Sequence, residues 1–193
     1  MRIMKVKRAI IILLIIGIMA VVAGCARWPE GPGPEPGETE YQLEITVEVE
    51  GVIDSSNGIY YIVMDTDGNS ATGPGYDILS WDDRFYYIKL EDGFFYFAQK
   101  EEGSPELYLT DNLISGNKIQ VTIALSDLEY PSSVDVNVIA TDLDNNTYDS
   151  LDEYFTIDVT YNPSEEVEDL PLGDSGDGID FDIIKVTAEI IIP

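Results

Sequence analysis

Two short loops concentrate oxygen-bearing side chains at a regular spacing. Asp65-Thr66-Asp67-Gly68-Asn69 and Asp142-Leu143-Asp144-Asn145-Asn146 both read D-x-D-x-N, and each follows an apolar run. Short acids and amides at alternate positions of a tight turn can fold their oxygens inward around a hard cation, and calcium takes about six to eight such oxygens. Asp142, Asp144 and Asn146, and more weakly Asp65, Asp67 and Asn69, are therefore candidate ligands of a structural calcium ion. Plain Asx turns compete with this expectation, because Asp and Asn side chains also satisfy their own backbone two residues on.

The second loop continues toward the EF-hand spacing, with Tyr148 at the seventh position, Ser150 at the ninth and Glu153 at the twelfth, so Glu153 joins the candidate ligands. Thr147 stands where that motif has glycine, and the first loop has Tyr76 at its twelfth position. Asp174, Asp177, Asp180 and Asp182 form a third acidic cluster that either joins one of these sites or solvates a loop.

Aromatic residues are the other candidate chemistry. Tyr60, Tyr61, Trp81, Phe85, Tyr86, Tyr87, Phe94, Phe95, Tyr96 and Phe97 crowd into one stretch, and sugars stack their C–H faces on such rings. Trp81, Tyr86, Tyr87 and Tyr96 are the candidate ligand-binding residues. Core and cross-strand packing is the alternative use of the same rings.

Enzymatic chemistry has little support. The chain has no histidine, which removes the commonest general base and any Ser-His-Asp arrangement. It has one cysteine and no glycine-rich phosphate loop, so neither a zinc cluster nor a nucleotide site is expected. The reading is a noncatalytic binding or structural module.

The N-terminus supplies the location. Arg2, Lys5, Lys7 and Arg8 precede an uncharged apolar run from Ala9, as in a secretory leader. Val22-Ala23-Gly24-Cys25 resembles the bacterial lipobox, which implies cleavage before Cys25, lipid on its thiol and an anchor in the cell membrane or outer membrane, with the rest extracytoplasmic. Ala26 leaves export to an outer membrane open. An uncleaved transmembrane anchor is the alternative, although the apolar stretch of residues 9–24 falls short of the roughly 17 to 25 residues a span needs. Residues 1–24 thus read as signal peptide, and 25–40, rich in proline and glycine, as a tether.

Removing the leader's four bases leaves six of the ten Lys and Arg against all 37 Asp and Glu, a formal balance of −31. So acidic a surface excludes nucleic acid as a partner and attracts cations through its summed field. With the lone cysteine given to lipid, no disulfide holds the domain, and its core must do so.

The elements that position these residues follow from a period of two. Tyr41, Leu43, Ile45, Val47 and Val49 alternate with polar residues, as do Ile119 to Leu125, Val134 to Val138 and Phe155 to Tyr161. Ile59 to Met64 is continuously apolar and reads as a central strand. Phe85 to Leu90 and Phe94 to Ala98 flank Glu91-Asp92-Gly93 as a hairpin. Ile179 to Ile192 closes the chain as one strand bulged near Ile183 and Ile184, and Asn162 to Gly178 is the one long connection. About nine strands with short turns predict an all-β antiparallel sandwich over residues 41–193, immunoglobulin-like or jelly-roll.

Gly58-Ile59-Tyr60-Tyr61-Ile62-Val63-Met64-Asp65, then Gly116 to Leu125, Val134 to Ala140 and Asp142, resemble the strands and acidic loops of family nine carbohydrate-binding modules and DOMON-like sandwiches. The resemblance implies carbohydrate binding. It departs from those families in having only Trp81 in the domain where two tryptophans clamp a sugar, and no histidine for haem. The expected function is a lipid-anchored extracytoplasmic binding module for carbohydrate. The alternative is a structural or assembly lipoprotein that docks a protein partner.

Overall fold

The computed structural model describes residues 40–169 and 178–192; the leader, Cys25, the tether up to residue 39, Asp174 and Asp177 lie outside them. The alternation of β1 (Gln42–Val49) sets the frame. Leu43, Ile45, Val47 and Val49 are fully buried, while Gln42, Glu44, Thr46 and Glu48 turn outward. The backbone of β1 pairs antiparallel with β12 (Ile183–Ile191) on one side and β7 (Lys118–Ala124) on the other. With β11 (Ser164–Glu168) and β6 (Asn112–Ser115) these make a five-stranded sheet of order β11-β12-β1-β7-β6.

A second sheet of seven strands runs β10 (Phe155–Asp158), β8 (Ser133–Thr141), β2 (Ile59–Asp65), β3 (Tyr86–Glu91), β4 (Phe94–Gln99) and β5 (Leu107–Tyr108). Its seventh strand, β9 (Thr147–Ser150), also pairs with β8. The fold is therefore an all-β sandwich of two antiparallel sheets. Leu43, Ile45, Val47, Ile119, Val121 and Val186 of the first sheet pack with Tyr60, Ile62, Met64, Ile88, Val136 and Val138 of the second. Each such aliphatic side chain contributes about 1.5–3 kcal/mol by leaving water, which lets the domain stand without a disulfide.

Twelve strands form among the described residues, where the periodicity predicts about nine. The strands that no sequence pattern marked are short: β5 has two residues, β6 and β9 four each, and β11 five. Part of the long connection expected at Asn162 to Gly178 is β11, whose only apolar residue is Val167 among acids. Its pairing comes from the free backbone edge of β12, which opposes Val167 with Val186, and no pattern in its own sequence signals that. The bulge at the paired isoleucines is present. Glu48 faces Lys185 but Val49 faces Ile183, so Ile184 is the inserted residue, and β12 starts at Ile183 instead of Ile179.

The two outer faces differ in chemistry. On the first sheet, Glu44, Thr46, Glu48, Lys118, Gln120, Lys185 and Glu189 form a solvated face, with Lys118 paired to Glu48 and Lys185 to Glu166. On the second sheet every residue of β2 is buried, so that strand is covered on both sides. The cover is the long connection between β2 and β3. Its one-turn 3-10 helix (Ile78–Ser80) and the following Trp81 and Phe85 fold back on Ile59, Tyr61, Val63 and Ile139 as a second small core.

Candidate functional site

That covering connection divides the outer face of the second sheet. On one side of it the face of β3, β4 and β5 stays open. Lys89 and Glu91 of β3 stand opposite Tyr96 and Phe94 of β4, and Tyr96 stands opposite Tyr108 of β5. The hairpin that presents them turns at Asp92-Gly93, both left-handed with φ of 50° and 79°, the geometry a two-residue turn between right-twisted strands requires. Ser55 fixes this turn from outside, accepting from the Asp92 N–H through its carbonyl and from the Gly93 N–H through its hydroxyl.

Phe94 is 56 % and Tyr108 70 % exposed, far above a packed ring. Tyr108 lies 6.3 Å from Phe94 edge-on and 5.0 Å from the tilted, half-buried Tyr96. Lys89 holds its ammonium 5.0 Å over the Tyr96 ring and pairs with Glu91 at 3.2 Å and Glu106 at 2.9 Å. The Tyr87 hydroxyl donates to a Glu106 carboxylate oxygen at 3.1 Å. Burial, then the Glu106 charge, push the Tyr87 phenol up to about 12. Burial pulls the Lys89 pKa down, but its hydrogen bonds to Glu106 and Glu91 outweigh this and keep it above the ordinary value. The surface thus carries exposed rings beside fixed charged donors and acceptors.

Two of the four aromatic candidates leave the set. Trp81 is 6 % exposed, donating its indole N–H to the Gly75 carbonyl at 2.8 Å and meeting Tyr61 edge-on at 5.6 Å. Tyr86 points into the main core and stacks on Phe97 at 5.8 Å, because neighbours on a strand face opposite ways and Tyr87 takes the outer side. Tyr87 and Tyr96 do lie on the outer face. Phe94 and Tyr108 complete the surface; Phe94 is hidden in an aromatic run of the sequence, and Tyr108 in a two-residue strand that shows no alternation.

The two acidic loops do not come together. β2 and β8 run antiparallel with Asp65 opposite Asp135 and Ile59 opposite Thr141, so the loop after Asp65 and the loop after Thr141 leave from opposite ends of the sheet. In the first, Asp65 accepts from the Asp67 N–H, Asp67 from the Asn69 N–H and Asn69 from the Ala71 N–H, three Asx turns in series. In the second, Asp142 accepts from the Asp144 and Asn146 N–H groups and from the Asn146 side-chain amide. Those bonds, the Asn146 side chain first, hold the Asp142 carboxyl below its ordinary pKa. Glu153 is carried away from this loop, because β9 runs back along β8 and Leu151 bonds to Val138. Asp142 lies five positions beyond Asn137, about 17 Å at strand rise, and Asn137 lines one cleft with Glu153. Among the described residues no group of three or more acidic or cysteine side chains is arranged to hold a metal.

No family model, curated protein or solved structure matches the chain. The functional reading therefore rests on the geometry of this outer face.

Proposed function

We propose that the protein is a lipid-anchored extracytoplasmic binding module, noncatalytic, whose open β3–β4–β5 face takes carbohydrate. The observation that carries this reading is the group Phe94, Tyr96 and Tyr108, solvent-facing on β4 and the neighbouring β5 with Glu91, Glu106 and Lys89 beside them. Rings offer apolar faces to sugar C–H groups, and the fixed charges offer acceptors and a donor to hydroxyls. Interplanar angles of 74° and 37° mean that the three rings do not share a plane. That shape favours a single soluble chain over a flat crystalline surface.

A glycan array followed by titration calorimetry on its best soluble hits tests the reading. Tyr96→Ala and Tyr108→Ala should each weaken binding about tenfold or more, in the range of a central aromatic contact. Tyr161→Ala, at a ring 88 % exposed beyond the end of β10, should leave binding unchanged. An array without a saturable hit would overturn carbohydrate binding. Docking of a protein partner is the second reading, favoured by Leu107, Leu113 and Ile114, which stand exposed on the edge strands β5 and β6.

The anchor has its own test. Cys25 is the only cysteine and hence the only thiol for lipid. Labelling with a fatty-acid probe should mark the parent protein and not Cys25→Ser, and a labelled variant would refute thiol lipidation.

A further inference from the structure

On the other side of the covering connection lies a cleft of about 630 Å³, a size ordinary for small-ligand sites. One wall is the segment from Ser70 to Tyr76, and four of its carbonyls are held by side chains from different places. Tyr154 donates to Ser70 O at 2.9 Å, Asn137 to Pro74 O at 2.8 Å, Trp81 to Gly75 O at 2.8 Å and Thr147 to Tyr76 O at 3.4 Å. Gly73 lies so close against the Tyr154 ring that a Cβ there would come within 2.4 Å of it. The wall is built before any ligand arrives. The facing wall is the break between β9 and β10, where Asp152, Glu153 and Tyr154 leave the edge of β8.

The charge of this cleft is unbalanced. Asp152 and Glu153 are exposed on its rim, and among the described residues no lysine or arginine lines it. The described bases are committed elsewhere: Arg84 to Asp82, Lys89 to Glu91 and Glu106, Lys118 to Glu48, Lys185 to Glu166, and Lys100 over the Trp81 ring. The remaining lining includes Tyr76 and Tyr154, whose rings offer apolar surface. A ligand that suits such a site brings positive charge and an apolar body.

We infer that this cleft binds a small organic cation, its ammonium group between the Asp152 and Glu153 carboxylates and its carbon body against Tyr76 and Tyr154. The site is separate from the carbohydrate surface and does not depend on it. Matched probes test it by backbone-amide NMR on the folded domain: choline against its uncharged carbon isostere, and butylamine against butanol. The charged member of each pair should move the Gly73, Asn137 and Tyr154 signals saturably, with an affinity about tenfold above its neutral partner. The double substitution Asp152→Asn with Glu153→Gln, both at exposed positions, should abolish that preference. Asp144→Asn, in the loop beyond Thr141 and outside the cleft lining, should retain it. Equal response to charged and neutral probes, no saturable response, or a preference that survives the double substitution would each overturn the inference; the last would mean attraction by the acidic surface as a whole.

Discussion

Gly58→Ala should destabilise the domain by about 3 kcal/mol, toward the upper end of what overpacking a tight site costs. Gly58 immediately precedes β2, and a Cβ there would lie 2.4 Å from the Phe181 ring and 2.5 Å from the Thr141 carbonyl oxygen. Neither neighbour can retreat cheaply. Thr141 is paired with Ile59 at the end of the β2–β8 ladder, so moving its carbonyl opens that end of the pairing. The Phe181 ring is stacked on Tyr60 at 5.6 Å and packs tilted against Tyr148 at 4.9 Å. Urea denaturation should show a lower midpoint with an unchanged slope. Gly75→Ala is the control, because a Cβ there meets nothing within 4 Å. Its effect should stay within about 0.5 kcal/mol, and an equal loss in the two variants would refute the steric account.

The second large effect concerns pH. Asp65 and Asp135 face each other across β2 and β8, both only 3 % exposed. Burial raises the pKa of each. For Asp65, the hydrogen bond from the Asp67 N–H opposes the rise, and the charges of Asp67 and Asp135 add to it. For Asp135, the hydrogen bond from Thr156 opposes it and the Asp67 charge adds to it. Arg84, 3.8 Å from Asp67, is the base that partly offsets this group. A carboxyl whose folded pKa is raised binds its proton more tightly in the folded state. Its contribution is fully present below the ordinary carboxylate value and is lost as pH rises through the raised one. Asp82, held down by the Arg84 hydrogen bond, and Asp142 act in the opposite sense, stabilising above the ordinary value and losing that contribution as pH falls through their lowered values.

Thermal stability should therefore rise as pH is lowered from neutral into the window just above the ordinary carboxylate range, and fall at stronger acidity. The double substitution Asp65→Asn with Asp135→Asn removes the buried charge, while the amide oxygen it places at position 135 can still accept from Thr156. At neutral pH the double variant should melt about 2–4 °C higher, the shift that roughly 1 kcal/mol produces in a domain of this size. It should also lose most of the rise on mild acidification. A double variant with the parent's pH profile would assign that rise to general repulsion among the surface acids.

Much of the frame was legible in the sequence because a strand that buries one face must alternate. β1 shows this residue by residue, and the unbroken apolar run of β2 marks a strand covered on both sides. Asp92-Gly93 marks the hairpin, because both residues tolerate the left-handed turn, and Ile183-Ile184 marks the bulge. The acidic balance and the lack of histidine are composition, and folding does not alter them.

Tertiary structure decided what those strands present. Tyr86 and Tyr87 are equivalent in composition, yet their opposite directions send one to the core and leave the other on the outer face. Trp81 reads as a sugar platform until the connection carrying it folds down on Tyr61. The two D-x-D-x-N loops look alike, but the antiparallel pairing of β2 with β8 sends them to opposite ends of the sheet. The cleft beside Tyr154 arises where the edge strand along β8 is interrupted between β9 and β10. Local pattern records whether a side chain can be buried, because that depends on its own chemistry and its strand's period. Which strand lies beside which, and what folds over them, is set by backbone edges and packing between residues far apart in the chain, and only the assembled sheets contain that information.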